Sequence, residues 1–225
     1  MRMQKTVFVS GIAAAAAFAG GQTVGVVGGQ TNVSLDFDTL AAAASLDLSG
    51  VSGDVISPGT LPGSVAFSIN GRDASNLPTT FTYDPNDFLG SFGGTIEHSG
   101  SVFFNNDTVE VGDFTIGFDA NRAVGANSGF FVESTTGIAA ILFDIGEPST
   151  LNPGMSSLEI GADLFVSAEF GSFLFNNGLS ATDLAGADVG DALVQATVPA
   201  PGGLAALAGA GLLASRRRRS ETATR

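Results

Sequence analysis

The chain contains one histidine, and any acid–base chemistry would have to begin with it. His98 lies beside Glu97 in the stretch GTIEHSGS. A serine nucleophile needs a base within hydrogen-bonding reach, so a Ser-His-acid triad would have to use His98. The stretch GANSG at residues 125–129 places Ser128 one position too late for the Gly-x-Ser-x-Gly nucleophile turn. We therefore predict no catalytic residues, a surface position for His98 beside a strand end, and a protein that is not an enzyme.

Carboxylates are the other residues that could do chemistry. The chain has 22 acidic residues, no cysteine and no tryptophan. Zinc is disfavoured because its usual ligands are cysteine and histidine. Some acid pairs must stand at the spacing that glycoside hydrolysis requires, but in so acidic a chain such pairs are uninformative. The absence of tryptophan and the single tyrosine, Tyr83, weigh against a cleft in which sugars stack on aromatic rings. A secreted hydrolase therefore ranks third among the functions considered.

Calcium is the one cofactor that the sequence suggests, since it binds carboxylate and carbonyl oxygens. The turn DPND offers Asp84, Asn86 and Asp87 as ligands. Two further acid pairs are Asp36 with Asp38, on one face of an expected strand, and Asp188 with Asp191 around Gly190. None of them matches the longer alternation of an EF-hand loop, and Asp-Pro-Asn-Asp is also a good turn sequence. The calcium site and the plain turn are both kept as interpretations.

The charge of the central region excludes one class of partner. Residues 20–200 carry 21 acids against two arginines, Arg72 and Arg122, which gives a net charge of −19. Nucleic acid is excluded because phosphates require lysine or arginine. The acidity fits either a solvated surface suited to salty water or the binding of divalent cations, and the first interpretation is favoured. Without cysteine the chain has no disulfide chemistry.

Apolar residues of the central region recur with period two, which predicts half-buried β-strands. Clear examples are residues 33–37, 46–48, 65–69, 81–83, 109–111 and 114–118. The runs at 130–134, 138–146 and 162–170 are more continuously apolar, and the second of them predicts a strand covered on both faces. A short helix is expected over residues 169–177, and the last strand over 192–198.

About a dozen short strands separated by proline, glycine and asparagine turns predict an all-β fold. We expect one antiparallel β-sandwich of the jelly-roll kind over residues 33–198. The glycine-rich stretch 22–32 is expected to be a flexible start. These elements form one domain.

The N-terminus has the order of a secretory signal peptide. Arg2 and Lys5 precede the apolar stretch 7–18, and small residues follow at Ala17 and Ala19. The apolar part is too short for a membrane-spanning helix. We assign residues 1–21 to a signal peptide, which makes signal peptidase a processing partner and predicts export.

The C-terminus has the features of a second targeting signal. Val198, Pro199, Ala200 and Pro201 precede an apolar stretch at 202–215, and Arg216, Arg217, Arg218 and Arg219 follow at once. As a helix, 14 residues span roughly 21 Å, which is short against a hydrocarbon core of about 30 Å. The arginine cluster is expected to stay on the cytoplasmic side. We therefore predict a short hydrophobic helix that inserts transiently in the membrane.

This arrangement resembles the PEP-CTERM sorting signal of bacteria, which the membrane protease-transpeptidase exosortase recognises. The usual core is Pro-Glu-Pro, and this chain has Ala200 in place of the glutamate, which resembles the Pro-Ala-Pro variants of planctomycete-type bacteria. The resemblance covers residues 199–225. It implies exosortase as a partner, cleavage of the tail, and association with the cell envelope, extracellular polysaccharide or matrix.

These expectations combine into an exported surface or extracellular-matrix protein without enzymatic activity, sorted through its C-terminal signal. The alternative is a calcium-dependent or carbohydrate-binding adhesive module. A calcium-dependent shift in melting temperature would separate the two, whereas a cleft with two convergent carboxylates of raised pKa would favour a hydrolase.

Overall fold

The computed structural model describes residues 21–199, and β-strands are their main secondary structure. The strands are β1 Val24–Gly25, β2 Gly28–Leu35, β3 Leu48–Val51, β4 Val65–Ile69, β5 Thr82–Tyr83, β6 Ile96–Ser99, β7 Ser101–Phe104, β8 Val109–Phe118, β9 Asn127–Gly137, β10 Ala140–Gly146, β11 Thr150–Pro153, β12 Ser157–Val166 and β13 Asp188–Thr197. The helices are α1 Phe37–Ala44, α2 Phe88–Ser91 and α3 Ala168–Asn176, with a 3₁₀ turn at Ala120–Arg122.

Eight of these strands form a closed antiparallel barrel. The order around it is β8-β6-β4-β2-β13-β12-β10-β9, and β9 pairs again with β8. The closing pair is long, running from Val111 opposite Gly137 to Phe118 opposite Phe130. The expected jelly-roll sandwich is therefore wrong, although the prediction of a mostly β fold is correct. A sandwich and a barrel share the same period-two pattern, so only the β8–β9 pairing decides between them.

Strand alternation puts one apolar face of each barrel strand inside. Thr31, Val33 and Leu35 of β2 point inward with Val65, Phe67 and Ile69 of β4, and these residues line the interior or belong to the core. Phe67 meets Phe114 of β8 edge to face, with ring centroids 4.8 Å apart. Such pairs add stability beyond the burial of their area. The expected strand at 65–69 coincides with β4, and the one at 192–198 overlaps β13, which begins earlier and ends at Thr197.

The two ends of the barrel are closed by different elements. At the end where β2 begins, β1 pairs with β5, and Phe81, Tyr83 and Phe88 pack together. At the end where β2 finishes, α1 follows directly and buries Leu40 and Ala44. The β3–β7 pair extends the sheet beyond β8 at this second end. Both ends of the barrel therefore carry elements that pack against its core.

Helix α1 corrects the predicted strand at residues 33–37. The strand stops at Leu35 because the Asp36 carboxylate accepts a hydrogen bond from the Thr39 backbone N–H at 2.9 Å and so caps a helix. The alanine-rich sequence that follows favours the helix, and Ser45 ends it with φ = 48°. Asp36 and Asp38 therefore do not share a strand face, which removes them as a pair of metal ligands.

Helix α3 confirms the helix expected at residues 169–177. The Ser167 hydroxyl accepts from the Phe170 N–H at 3.0 Å, and Phe170, Gly171 and Leu174 form the buried face. Phe170 packs edge to face on Phe143 of β10, at a ring-centroid distance of 6.1 Å. The strand expected to be covered on both faces is this same β10, in which residues 142–146 are all buried.

The glycine-rich stretch 22–32, predicted to be a flexible start, contains β1 and most of β2. Strand β2 begins at Gly28 and pairs with β13 from Gly28 opposite Thr197 to Leu35 opposite Gly190. Gly29 has φ = 118°, and a Cβ on it would lie 2.2 Å from the Gln195 carbonyl oxygen. Only glycine fits at this position, because β13 approaches so closely. In the sequence alone, the same glycine-rich pattern indicated flexibility.

Candidate functional site

His98 lies inside the barrel, not on the surface. Its side chain projects from β6 and is 1% exposed. Its Nε2 atom is 2.7 Å from the Thr31 Oγ1 atom of β2, and its Nδ1 atom is 2.9 Å from the Phe114 carbonyl oxygen of β8. The predicted surface position is therefore wrong. The sequence contained a signal for it, since His98 stands two residues after the buried Ile96 and so shares its face of the strand.

The hydrogen bonds of His98 fix its tautomer. A carbonyl oxygen only accepts, so Nδ1 carries the proton and donates to Phe114. Nε2 then accepts from the Thr31 hydroxyl. Burial lowers the pKa of His98 to about 4, although the bond to Phe114 acts in the opposite direction. The imidazole is therefore neutral near pH 7, and both of its nitrogens are occupied.

The other candidate catalytic residues lie apart from His98. The Ser128 hydroxyl donates to the Ile145 carbonyl oxygen at 2.8 Å and accepts from the Phe130 N–H at 3.3 Å. Glu97 points to the opposite face of β6, where its carboxylate accepts from the Thr115 hydroxyl at 2.5 Å. Among the described residues 21–199 no serine, histidine and acid come together, since the hydroxyl that contacts His98 belongs to Thr31.

Asp84, Asn86 and Asp87 form a hydrogen-bonded turn before α2. The Asp84 carboxylate accepts from the Asn86 backbone N–H at 2.9 Å and from its side-chain amide at 3.2 Å. The Asp87 carboxylate caps α2 by accepting from the Gly90 N–H at 3.2 Å. Each carboxylate thus has a structural partner, as the plain-turn interpretation expects. Within residues 21–199 no group of three or more acidic or histidine side chains is arranged to hold a metal ion.

The acid pair around Gly190 sits at the β12–β13 ladder. Asp191 stands directly opposite Asp163, and the carboxylates of Asp163 and Asp188, together with burial, raise the pKa of Asp191. Burial is the largest of these causes. The carboxylates of Asp163, Asp188 and Asp191 therefore repel one another on the barrel exterior.

Arg122 forms an ion-pair cluster that the sequence did not suggest. Its Nε atom donates to Asp144 at 2.6 Å, and its two terminal nitrogens donate to both carboxylate oxygens of Glu169 at 2.7 and 2.9 Å. The guanidinium carbon also lies 5.8 Å from the centre of the Phe131 ring. These bonds raise the pKa of Arg122 and hold the pKa of Glu169 at about 2. Arg122 thereby ties the start of α3 to the barrel wall.

The interior of the barrel holds a cavity of about 110 Å³. Its lining is apolar apart from Thr31, His98 and Ser128, whose polar atoms are all hydrogen-bonded. Strand periodicity predicts apolar inward faces, but it does not predict how much space they leave between them. The cavity is therefore a feature that sequence reasoning missed.

Comparisons with known proteins give little beyond this geometry. No family model and no curated protein matches the chain. Among solved structures, the chain is similar to the C-terminal domain of HtaA from Corynebacterium glutamicum, with 17% sequence identity and a TM-score of 0.49. The match covers 78% of this chain and 99% of that domain. At this level we transfer neither ligand nor activity, and the barrel assignment rests on the strand pairings.

The predicted sorting motif begins where the barrel ends. Strand β13 finishes at Thr197, Val198 is 3% exposed with its N–H donating to the Ser156 carbonyl oxygen, and Pro199 is exposed. Ala200, Pro201, the expected helix at 202–215 and Arg216–Arg219 lie outside the described residues, as does all but the last residue of the signal peptide predicted at 1–21. Within residues 21–199 there is no helix long and apolar enough to cross a membrane.

Proposed function

We propose that this chain is an exported, non-enzymatic barrel protein of the cell surface or extracellular matrix, freed from its membrane segment by exosortase-type cleavage near Pro199 to Pro201. The observation that carries the proposal is the position of Pro199. Val198 is buried against the barrel, and the chain becomes exposed at Pro199, the first proline of the Pro-Ala-Pro segment. A protease needs an exposed, extended segment, and cleavage here would leave the barrel complete.

The charge of the barrel supports release into an aqueous exterior. Of its two arginines, Arg122 is paired with Asp144 and Glu169, and Arg72 donates to the Phe81 carbonyl oxygen at 3.2 Å. Apart from the buried Glu97 and Asp144, the acids dominate the surface and repel anionic lipid and one another. The absence of activity is supported by His98, whose two nitrogens are both engaged inside the barrel.

Mass spectrometry of both termini tests the proposal. The full-length gene product is expressed in a bacterium that exports it and carries an exosortase, and protein is recovered from envelope and medium. We expect a mature N-terminus near residue 21 and a C-terminus between residues 198 and 201. An intact Arg225 found only in membranes would make the protein tail-anchored and overturn the cleavage proposal.

Matched proline variants sharpen this experiment. Replacing Pro199 and Pro201 with alanine should leave the tail attached, since these prolines mark the recognition segment. The control is Pro62→Ala, which changes an exposed proline in a turn of the barrel and should not alter processing. Equal processing of the two variants would refute the role of the Pro-Ala-Pro segment.

A further inference from the structure

The barrel cavity has the chemistry of a ligand site for an apolar molecule. Its wall is built from inward side chains of the eight barrel strands, among them Phe67, Ile116, Leu164 and Val194. Eight-stranded barrels have interiors just large enough to be filled by side chains or to hold one small ligand. The volume of about 110 Å³ places this barrel in the second group.

Two alanines leave the space open. Ala162 of β12 and Ala192 of β13 are directly paired across the strands, and both line the cavity. The neighbouring inward positions of the same ladder carry larger side chains, with Ile160 opposite Val194. A leucine or valine at 162 or 192 would project into the cavity, so the void follows from the choice of side chain at these two positions.

The polar groups of the wall restrict the chemical class of the ligand. Thr31 donates its hydroxyl proton to His98, His98 donates to Phe114, and Ser128 donates to Ile145. Within residues 21–199 every buried side-chain nitrogen and oxygen has a hydrogen-bond partner. A charged ligand would lose its hydration and find no donor or counter-ion in return. The cavity therefore suits a neutral molecule with little or no polarity.

Size restricts the ligand further. An engineered apolar protein cavity of about 150 Å³ stays dry and binds benzene or xenon. At about 110 Å³, this cavity fits a single aromatic ring or a short branched alkane. Leu48 of β3 lines the cavity and is also 45% exposed, so the wall is thinnest at the end that carries α1 and the β3–β7 pair.

We propose that the barrel interior binds a small neutral apolar molecule, of the class of monocyclic aromatic hydrocarbons, between the Ala162–Ala192 pair and the apolar wall opposite. Binding rests on dispersion contacts and on removal of apolar surface from water. The Thr31–His98 pair excludes charged analogues because it offers them neither a free donor nor a charge. This site is independent of how the C-terminus is processed.

Thermal unfolding of the full chain with benzene, and separately with benzoate, tests the site. A ligand that binds only the folded state raises Tm as its concentration passes Kd. We expect benzene to raise the Tm and benzoate, which has the same ring and a negative charge, to leave it unchanged. Equal effects of the two, or no effect of benzene up to its solubility limit, would overturn the proposal.

Filling variants locate the binding. Ala192→Leu should abolish the benzene effect, whereas Ala43→Leu, the same change at an exposed position of α1, should retain it. If Ala192→Leu does not fold, Ala162→Val makes a smaller change to the same space. A crystal pressurised with xenon gives an independent readout, and density within 5 Å or so of Ala192 is the expected result. Xenon found only outside the barrel would refute the location.

Discussion

The buried His98 should make the stability of the barrel fall as the pH drops from 6.5 to 4. In the unfolded chain the imidazole has its ordinary pKa of 6.5, and in the folded barrel burial lowers that pKa to about 4. Between these values the unfolded chain binds a proton that the folded chain does not, so stability is present in full above pH 6.5 and is lost on acidification. At about 1.4 kcal/mol per pH unit, the loss reaches about 3 kcal/mol.

Urea unfolding at pH 7.5, 6.5, 5.5 and 4.5 measures this loss in the full chain. Carboxylates also titrate at the acid end, so the relevant quantity is the difference between the wild type and His98→Asn. Asparagine keeps an amide that can donate to the Phe114 carbonyl but has no proton to gain. The variant is expected to be less stable at pH 7.5 and to lose less stability than the wild type as the pH falls.

Thr31→Val provides the matched control for His98. It removes the hydroxyl that donates to Nε2 but keeps the titrating imidazole in its buried position. We expect it to be destabilised by about 1–2 kcal/mol, the cost of leaving a buried acceptor without a partner, and to retain the steep pH dependence. If the wild type, Thr31→Val and His98→Asn all lose stability in parallel between pH 6.5 and 4.5, the reasoning from burial fails.

Further variants test the ion pairs of Arg122 and the hydrogen bond of Tyr83. Arg122→Met should destabilise the protein by about 2 kcal/mol, mainly because Asp144 is left partly buried without its partner. The coupling of Arg122 to Glu169 in a double-mutant cycle with Glu169→Gln should be only about 1 kcal/mol, since the Glu169 side chain is 46% exposed. Because the pKa of Glu169 is held at about 2, that coupling should persist at pH 5 and fall as the pH drops from 4.5 towards 2. A coupling free energy independent of pH would contradict the ion pair between Arg122 and Glu169. Tyr83→Phe should lower the free energy of unfolding in urea by about 1–2 kcal/mol. The phenol hydroxyl donates to the Gly154 carbonyl oxygen at 2.7 Å, and that oxygen would lose its donor. An unchanged free energy of unfolding would show that water replaces the bond.

The strand content and several element positions were predictable because they depend on neighbouring residues in the chain. Alternation at residues 65–69, the continuous apolar run that became β10, and the helix now assigned as α3 were all confirmed. The predicted strand at 33–37 is wrong from Asp36 onward, because the Asp36 side chain caps a helix there. Capping is also local, and the combination of Asp36 with a following alanine run was the available signal.

The closure of the sheet was not predictable from alternation. Each strand's inward and outward faces are set by its own sequence, but a sandwich and a barrel need the same two faces. The β8–β9 pairing is a contact between whole strands, and it decides that there is one interior rather than a layer between two sheets. The interior position of His98 and its partner Thr31, 67 residues earlier, follow from that closure.

The sequence by itself determined the charge of the protein, its β content and the two terminal addresses that we predict, because each depends on composition or on residues adjacent in the chain. Only the tertiary structure decided that the sheet closes, that the single histidine is neutral and buried, and that Ala162 and Ala192 face an open space. The physical reason is that a void, a shifted pKa and a closed ring of strands are all set by what lies opposite a residue, and that partner is supplied by distant parts of the chain.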